Sequence, residues 1–102
     1  MTSGSKRILL AMILAATMTA CSGGYQRGMF QGYVIDATQE QITAKIGKPD
    51  RIDTSDPNAP RWIYNKKTFD PENQNKNDDL TIIVFKKDPK SGQFVGAEVQ
   101  FQ

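Results

Sequence analysis

The single cysteine of this 102-residue chain closes an apolar N-terminal run at Met18-Thr19-Ala20-Cys21, which splits the sequence into two parts with different tasks. Ahead of it, Lys6 and Arg7 form a short positive region, and Ile8 to Ala16 are Ile, Leu, Met and Ala only. That order is the pattern of a secretory signal. The apolar stretch is far shorter than the roughly 20 residues a spanning helix needs. Folding therefore falls to the residues beyond Cys21, about 80 of them, near the lower limit for one self-sufficient core. With one cysteine in the chain, no intramolecular disulfide can assist.

The tetrapeptide resembles the lipobox of bacterial lipoproteins, in which small residues immediately precede a Cys; Met18 stands where Leu, Val or Ile is usual. The resemblance implies cleavage between Ala20 and Cys21, a diacylglycerol on the Cys21 sulfur and a further acyl chain on its amine. No other cofactor is expected, and the thiol is then closed to redox or metal chemistry. One short acyl chain holds a protein to a bilayer only marginally, whereas two or more anchor it stably. Ser22 follows the cysteine where Asp would signal inner-membrane retention, so the resemblance implies the outer membrane, facing the periplasm. The expected organisation is a signal peptide over 1–20, a lipidated N-terminus and flexible tether over 21–32, and a small domain over 33–102.

Removing the leader changes the charge. Thirteen basic residues less Lys6 and Arg7 leave eleven, against eleven acidic residues that all lie beyond Cys21. A formally neutral domain lacks the excess of Lys and Arg that displaces counterions from phosphates, so nucleic acid is not an expected partner. All nine aromatic residues fall in the same part, from Tyr25 to Phe101, and should supply much of the buried area.

Ser22-Gly23-Gly24 and the residues up to Gly28 read as coil. Gly28 to Ile35 reads as an irregular or extended arm, because two glycines interrupt any helix, with Tyr33 to Ile35 docked on the core. The alternative is that Met29, Phe30 and Tyr33 are exposed and meet a partner. Next comes the clearest helix: Thr38 and Gln41 form a capping box, Ile42 and Ile46 make an apolar stripe, and Gly47 and Pro49 end it. Arg51 to Asp53 begins a strand, and Thr54 to Pro60 is a loop. Arg61 to Asn65 is a strand with Trp62 and Tyr64 on one face, and Leu80 to Phe85 is an apolar, β-branched run suited to a central position. A turn over Asp88 to Gly92 leads to a last strand, whose alternation places Val95, Ala97, Val99 and Phe101 opposite Glu98 and Gln100. The expected fold is α+β, one short helix on a three-stranded antiparallel meander.

Histidine is absent, which removes Ser-His-Asp and Cys-His nucleophilic sites and the usual zinc ligand sets. Ser22, Ser55 and Ser91 lie in tether or turn segments without an evident base, so no catalytic residue is expected and the protein reads as non-enzymatic. Asp70 to Asp79 invites a calcium test, since Asn73, Asn75 and Asn77 mimic the first three ligand positions of an EF-hand. The motif fails, because Asp78 stands where Gly is needed and the twelfth position is Val84 within a strand. No metal site is expected; the loop reads as a solvated hairpin, with a periplasmic ligand- or ion-binding function using Asp70 to Asp79 as the alternative. Lys86, Lys87 and Lys90 read as a solvated turn that blunts edge pairing, or alternatively as a contact for anionic lipid or an acidic partner. Trp62, Tyr64 and Phe85 read as core, with recognition anchors for a partner as the alternative.

Thr38 with its apolar helix, the Ile46-Gly47-Lys48-Pro49-Asp50 ending, Arg61-Trp62-Ile63-Tyr64, Leu80-Thr81-Ile82-Ile83-Val84-Phe85 and the Gly-containing turn together resemble the SmpA/OmlA (BamE-like) family of small outer-membrane lipoproteins. The resemblance covers residues 33 to 101. It implies a lipid-anchored scaffold or accessory factor in envelope and outer-membrane protein assembly, with an envelope protein as partner. The chain departs from the family in that members have two helices before the sheet, and no partner-binding residue matches one by one. The expected shape also resembles β-lactamase-inhibitor-like modules, and a shared fold does not establish function. The residues set no oligomeric state.

Overall fold

A computed structural model describes residues 24–102; the expected signal peptide over 1–20, including Ala20, and the expected acylation site Cys21 lie outside the described residues. The fold is mixed α+β with two helices and two sheets. Within the described residues, regular structure replaces the expected coil from Tyr25 and the irregular or extended arm. Tyr25–Gln26 is a strand (β1) and Arg27–Val34 is a helix (α1). Phe30 and Val34 stand one helical turn apart and are both fully buried, while Gly28 and Gly32 lie on the exposed side. Burying the two apolar side chains contributes about 3–6 kcal/mol. Two helical glycines cost about 1–2 kcal/mol together, so burial outweighs the breaking tendency that the sequence displays.

The second helix, α2 (Gln39–Lys45), forms as expected. Thr38 Oγ1 accepts the Gln41 backbone N–H at 3.1 Å, and Gln41 Oε1 accepts the Thr38 N–H at 3.0 Å. Ile42 and Ile46 are buried, and Gly47 ends the helix at φ 106°.

The main sheet has four strands rather than three, all antiparallel: β2 (Arg51–Asp53), β3 (Arg61–Asn65), β6 (Leu80–Lys87) and β7 (Phe94–Phe101), in the order β2-β3-β6-β7. Between β3 and β6 the chain makes β4 (Thr68–Asp70), a 3-10 turn at Pro71–Asn73 and β5 (Lys76–Asn77). These build a second small sheet, in which β1 pairs parallel to β4 and β4 antiparallel to β5. Both helices pack on one face of the main sheet, where Phe30, Val34, Ile42 and Ile46 meet Trp62, Tyr64, Ile83 and Phe85. Phe30 meets Tyr64, and Trp62 meets Phe85, edge-to-face at 6.0 and 5.0 Å between ring centres. The Tyr64 hydroxyl donates to the Gly47 carbonyl at 2.8 Å, tying the end of α2 to β3.

The last strand departs from simple alternation. Val84 pairs with Glu98 but Phe85 pairs with Gly96, so Ala97 is an extra, bulged residue. Residues directly opposite on paired strands share a face. Phe94 and Gly96 therefore join Val99 and Phe101 on the helix-packed side, while Val95 falls with Glu98 and Gln100 on the other. The expected grouping of Val95, Ala97, Val99 and Phe101 is broken at the bulge.

The bulge brings Gly96 against the segment that follows α1. Asp36 N–H donates to the Gly96 carbonyl at 2.8 Å, and Gly96 N–H donates to the Ala37 carbonyl at 2.9 Å. A Cβ on residue 96 would lie 2.0 Å from the Val34 carbonyl oxygen, whereas one on residue 32 would meet nothing within 4 Å. Gly96→Ala should thus lower stability by about 3 kcal/mol, and Gly32→Ala should raise it by about 0.5–1 kcal/mol. Urea unfolding midpoints of the two variants measure both effects; equal midpoints would refute the close approach.

Candidate functional site

The most developed polar site joins the two sheets at the start of α1. Arg27, the first helical residue, hydrogen-bonds Asp78 through two nitrogens, with Nε to Oδ2 at 3.1 Å and Nη2 to Oδ1 as its partner contact. Its Nη1 lies 3.3 Å from an Asp70 oxygen, and its guanidinium carbon sits 4.9 Å from the centre of the Phe101 ring. Asp78 is 5 % exposed and lies immediately after β5. Thr68 on β4 donates its hydroxyl to Asp78 Oδ2 at 2.7 Å. The Thr68 and Thr81 hydroxyl oxygens are also 2.7 Å apart. A hydroxyl has one proton to give, so Thr81 must donate to Thr68, and the chain of donors runs from β6 through β4 to the carboxylate. No buried polar side-chain atom among the described residues lacks a partner.

This setting fixes the charge of the carboxylate. The Arg27 hydrogen bond, with the Thr68 hydrogen bond and Arg27 charge adding to it, holds Asp78 below its ordinary range against the opposing effect of burial. Asp78 in turn raises Arg27. A carboxyl held ionised this way suits a fixed ion pair and is a poor proton shuttle near neutrality. Tyr64 is shifted in the opposite sense from Asp78: burial, and then the charge of Asp50, push its phenol well above the usual value.

A cleft of about 150 Å³ opens beside the pair, bordered by Asp70, Asn73, Lys76, Asn77 and Asp79. Asn73 ends the 3-10 turn, Asn75 adopts left-handed backbone at φ 58°, and Asn77 belongs to β5, so the three asparagines occupy three different local structures. Among the described residues no group of three or more His, Cys, Asp or Glu side chains is placed to hold a metal ion. Arg27 occupies the two carboxylates, Asp70 and Asp78, that would have been the strongest donors of this loop.

The structure separates the residues considered as partner contacts. Met29 is 51 % exposed, but Phe30 is wholly buried, so Phe30 is core and the trio with Tyr33 forms no common surface. Tyr33 is half-buried against Tyr25, with the Lys45 ammonium 4.5 Å from its ring centre. Lys86, Lys87 and Lys90 are exposed at the far end of the β6–β7 hairpin. Alternation puts Lys86 and Lys87 on opposite faces, and Lys87 lies over Phe94 at 5.8 Å. Sequence reasoning missed Arg27, Thr68, Thr81 and Asp78 as a unit, because the partners are up to 51 positions apart. The available signal was Thr81 on the same face as the apolar Ile83 and Phe85.

Comparison with known proteins finds no matching family model, no matching curated protein and no matching solved structure.

Two outcomes follow from the polar network. Thr68→Val removes the bridge and leaves Asp78 and Thr81 each short of a partner, lowering stability by about 1–2 kcal/mol in urea unfolding. The Asp78 carboxyl is depressed in the folded state, so its stabilisation is complete above its ordinary value of 3.8 and is lost as pH falls through the lower folded value. Stability measured across this acid range should decline less steeply in Arg27→Gln than in the parent, and an identical decline would show that the pair is not its source.

Proposed function

We propose that this protein is a lipid-anchored, periplasm-facing outer-membrane lipoprotein that acts without catalysis, as a scaffold or accessory factor in envelope and outer-membrane protein assembly. The observation that carries the reading is Met18-Thr19-Ala20-Cys21 at the end of the apolar run, with Ser22 after it. The signal peptide over 1–20 and acylation of Cys21 belong to this proposal. Helix α1 supports it further. With α1 and α2 both ahead of the main sheet, the order of elements matches the two-helix order that the SmpA/OmlA resemblance implies, removing the departure read from the glycines. The exposed Met29 and the lysine hairpin offer surfaces for an envelope partner. The ion-binding alternative draws no support from the Asp70 to Asp79 loop, where Arg27 already neutralises two carboxylates.

The intact mass of the mature protein should show an N-terminal Cys21 carrying two or more acyl chains, and the protein should sediment with outer membranes. Cys21→Ala should lose both the lipid and the outer-membrane location. Affinity purification from solubilised envelopes should retain a specific envelope protein; an unacylated wild-type chain, or no envelope protein above background, would count against the proposal.

A further inference from the structure

The four residues from Cys21 to Tyr25 span at most about 14 Å when fully extended, so an anchor on Cys21 holds the start of β1 close to the bilayer. What surrounds that point is a group of lysines. Tyr25 N–H donates to the Lys67 carbonyl at 2.9 Å, and its hydroxyl donates to the Lys45 carbonyl at 3.3 Å. Lys45 extends over the ring of Tyr33, itself edge-on to Tyr25 at 5.9 Å. Lys67 lies 5.9 Å from the ring centre of Tyr64, whose hydroxyl is bonded to Gly47, the residue before Lys48. Lys66 precedes Lys67 in the connection from β3 to β4, where its backbone turns through a positive φ of 48°. Lys45, Lys48 and Lys66 are exposed and Lys67 is half-buried. Among the described residues no carboxylate lies within ion-pairing distance of any of the four, since both ion pairs there belong to Arg27.

Lys45 and Lys48 at the end of α2 and Lys66 and Lys67 between β3 and β4 come from separate segments, and together they place four lysines at the end of the domain where the link from Cys21 enters. We infer that the face formed by Lys45, Lys48, Lys66 and Lys67 around Tyr25 is turned to the bilayer, with its ammonium groups on the anionic phosphates of lipid head groups. This rests on the anchored reading above and deepens it. Each lysine near an anionic surface adds an attraction that decays over a Debye length of about 8–10 Å, and the short link lets this end settle against the head groups while the hairpin stands farther off. The β6–β7 hairpin lies at the other end. Leu80 pairs with Asn65 beside Lys66, and seven residues of extended strand carry β6 about 24 Å away to Lys87. Lys86, Lys87 and Lys90 are thereby directed away from the membrane, on the end of the domain open to a periplasmic partner.

Lysine acetylation read by mass spectrometry tests the orientation, using the acylated protein reconstituted in phosphatidylcholine vesicles with or without about a third phosphatidylserine. Labelling of Lys45, Lys48, Lys66 and Lys67 should fall about threefold or more in the anionic vesicles and recover in high salt, with Lys86, Lys87 and Lys90 unchanged. Replacing Lys45, Lys48 and Lys66 by Gln, at positions where their side chains carry no fold contact beyond a ring, should abolish the protection still readable at Lys67 while the protein stays on the vesicle through its lipid. Equal labelling in both vesicles, or protection spread evenly over both ends or confined to the hairpin, overturns the inference. Intact mass separates the two levels: missing acyl chains defeat the anchored reading, whereas a fully acylated protein without selective protection defeats only the orientation.

Discussion

The Val34 carbonyl lies where a side chain on residue 96 would begin, and the two hydrogen bonds that join Gly96 to Asp36 and Ala37 hold it there. This close approach sets the distance between α1 and β7. It is possible only because Ala97 bulges out and turns Gly96 to the helix-packed face. From that contact the rest of the packing follows: Val34 and Phe30 descend onto Tyr64 and Ile83, and the chain leaving Gly96's partners runs straight into the capping box of α2. An eight-residue helix is about 12 Å long and unstable by itself, so α1 exists because its C-terminal end is fastened to the sheet.

Its N-terminal end is fastened by different physics. Arg27 reaches Asp78 and Asp70, and Asp78 is satisfied in turn by Thr68 and Thr81. A buried carboxylate adds little net stability beyond its partners and makes any loss of a partner costly. The network joins the start of α1, the small sheet and the start of β6. Helix α1 therefore bridges the two sheets, held at one end by close backbone contact and at the other by an ion pair.

How much was legible depended on whether the deciding interaction was local. Helix α2 was readable because Thr38, Gln41, Ile42, Ile46 and Gly47 carry start, stripe and stop within ten residues, and β3 and β6 were readable from aromatic and β-branched runs. Helix α1 was hidden behind Gly28 and Gly32, whose local preference is outweighed by burying Phe30 and Val34. The small sheet was hidden because two- and three-residue strands carry too few residues for any periodicity. In the candidate site, the lysine hairpin could be found along the chain, whereas Arg27 with Asp78 and the lysines around Tyr25 could not.

The sequence alone determined that Cys21 closes an apolar run, that the charge imbalance belongs to the residues ahead of it, and that an α+β domain without histidine or a possible disulfide follows. These are properties of neighbouring residues and of composition, and no folding is needed to establish them. The tertiary structure decided which face of β7 points inward, that Phe30 is core, that Arg27 is paired and that four lysines from separate segments share one end of the domain. Each of those depends on burial or on contacts between distant segments, and their free energy appears only once the chain has brought those segments together.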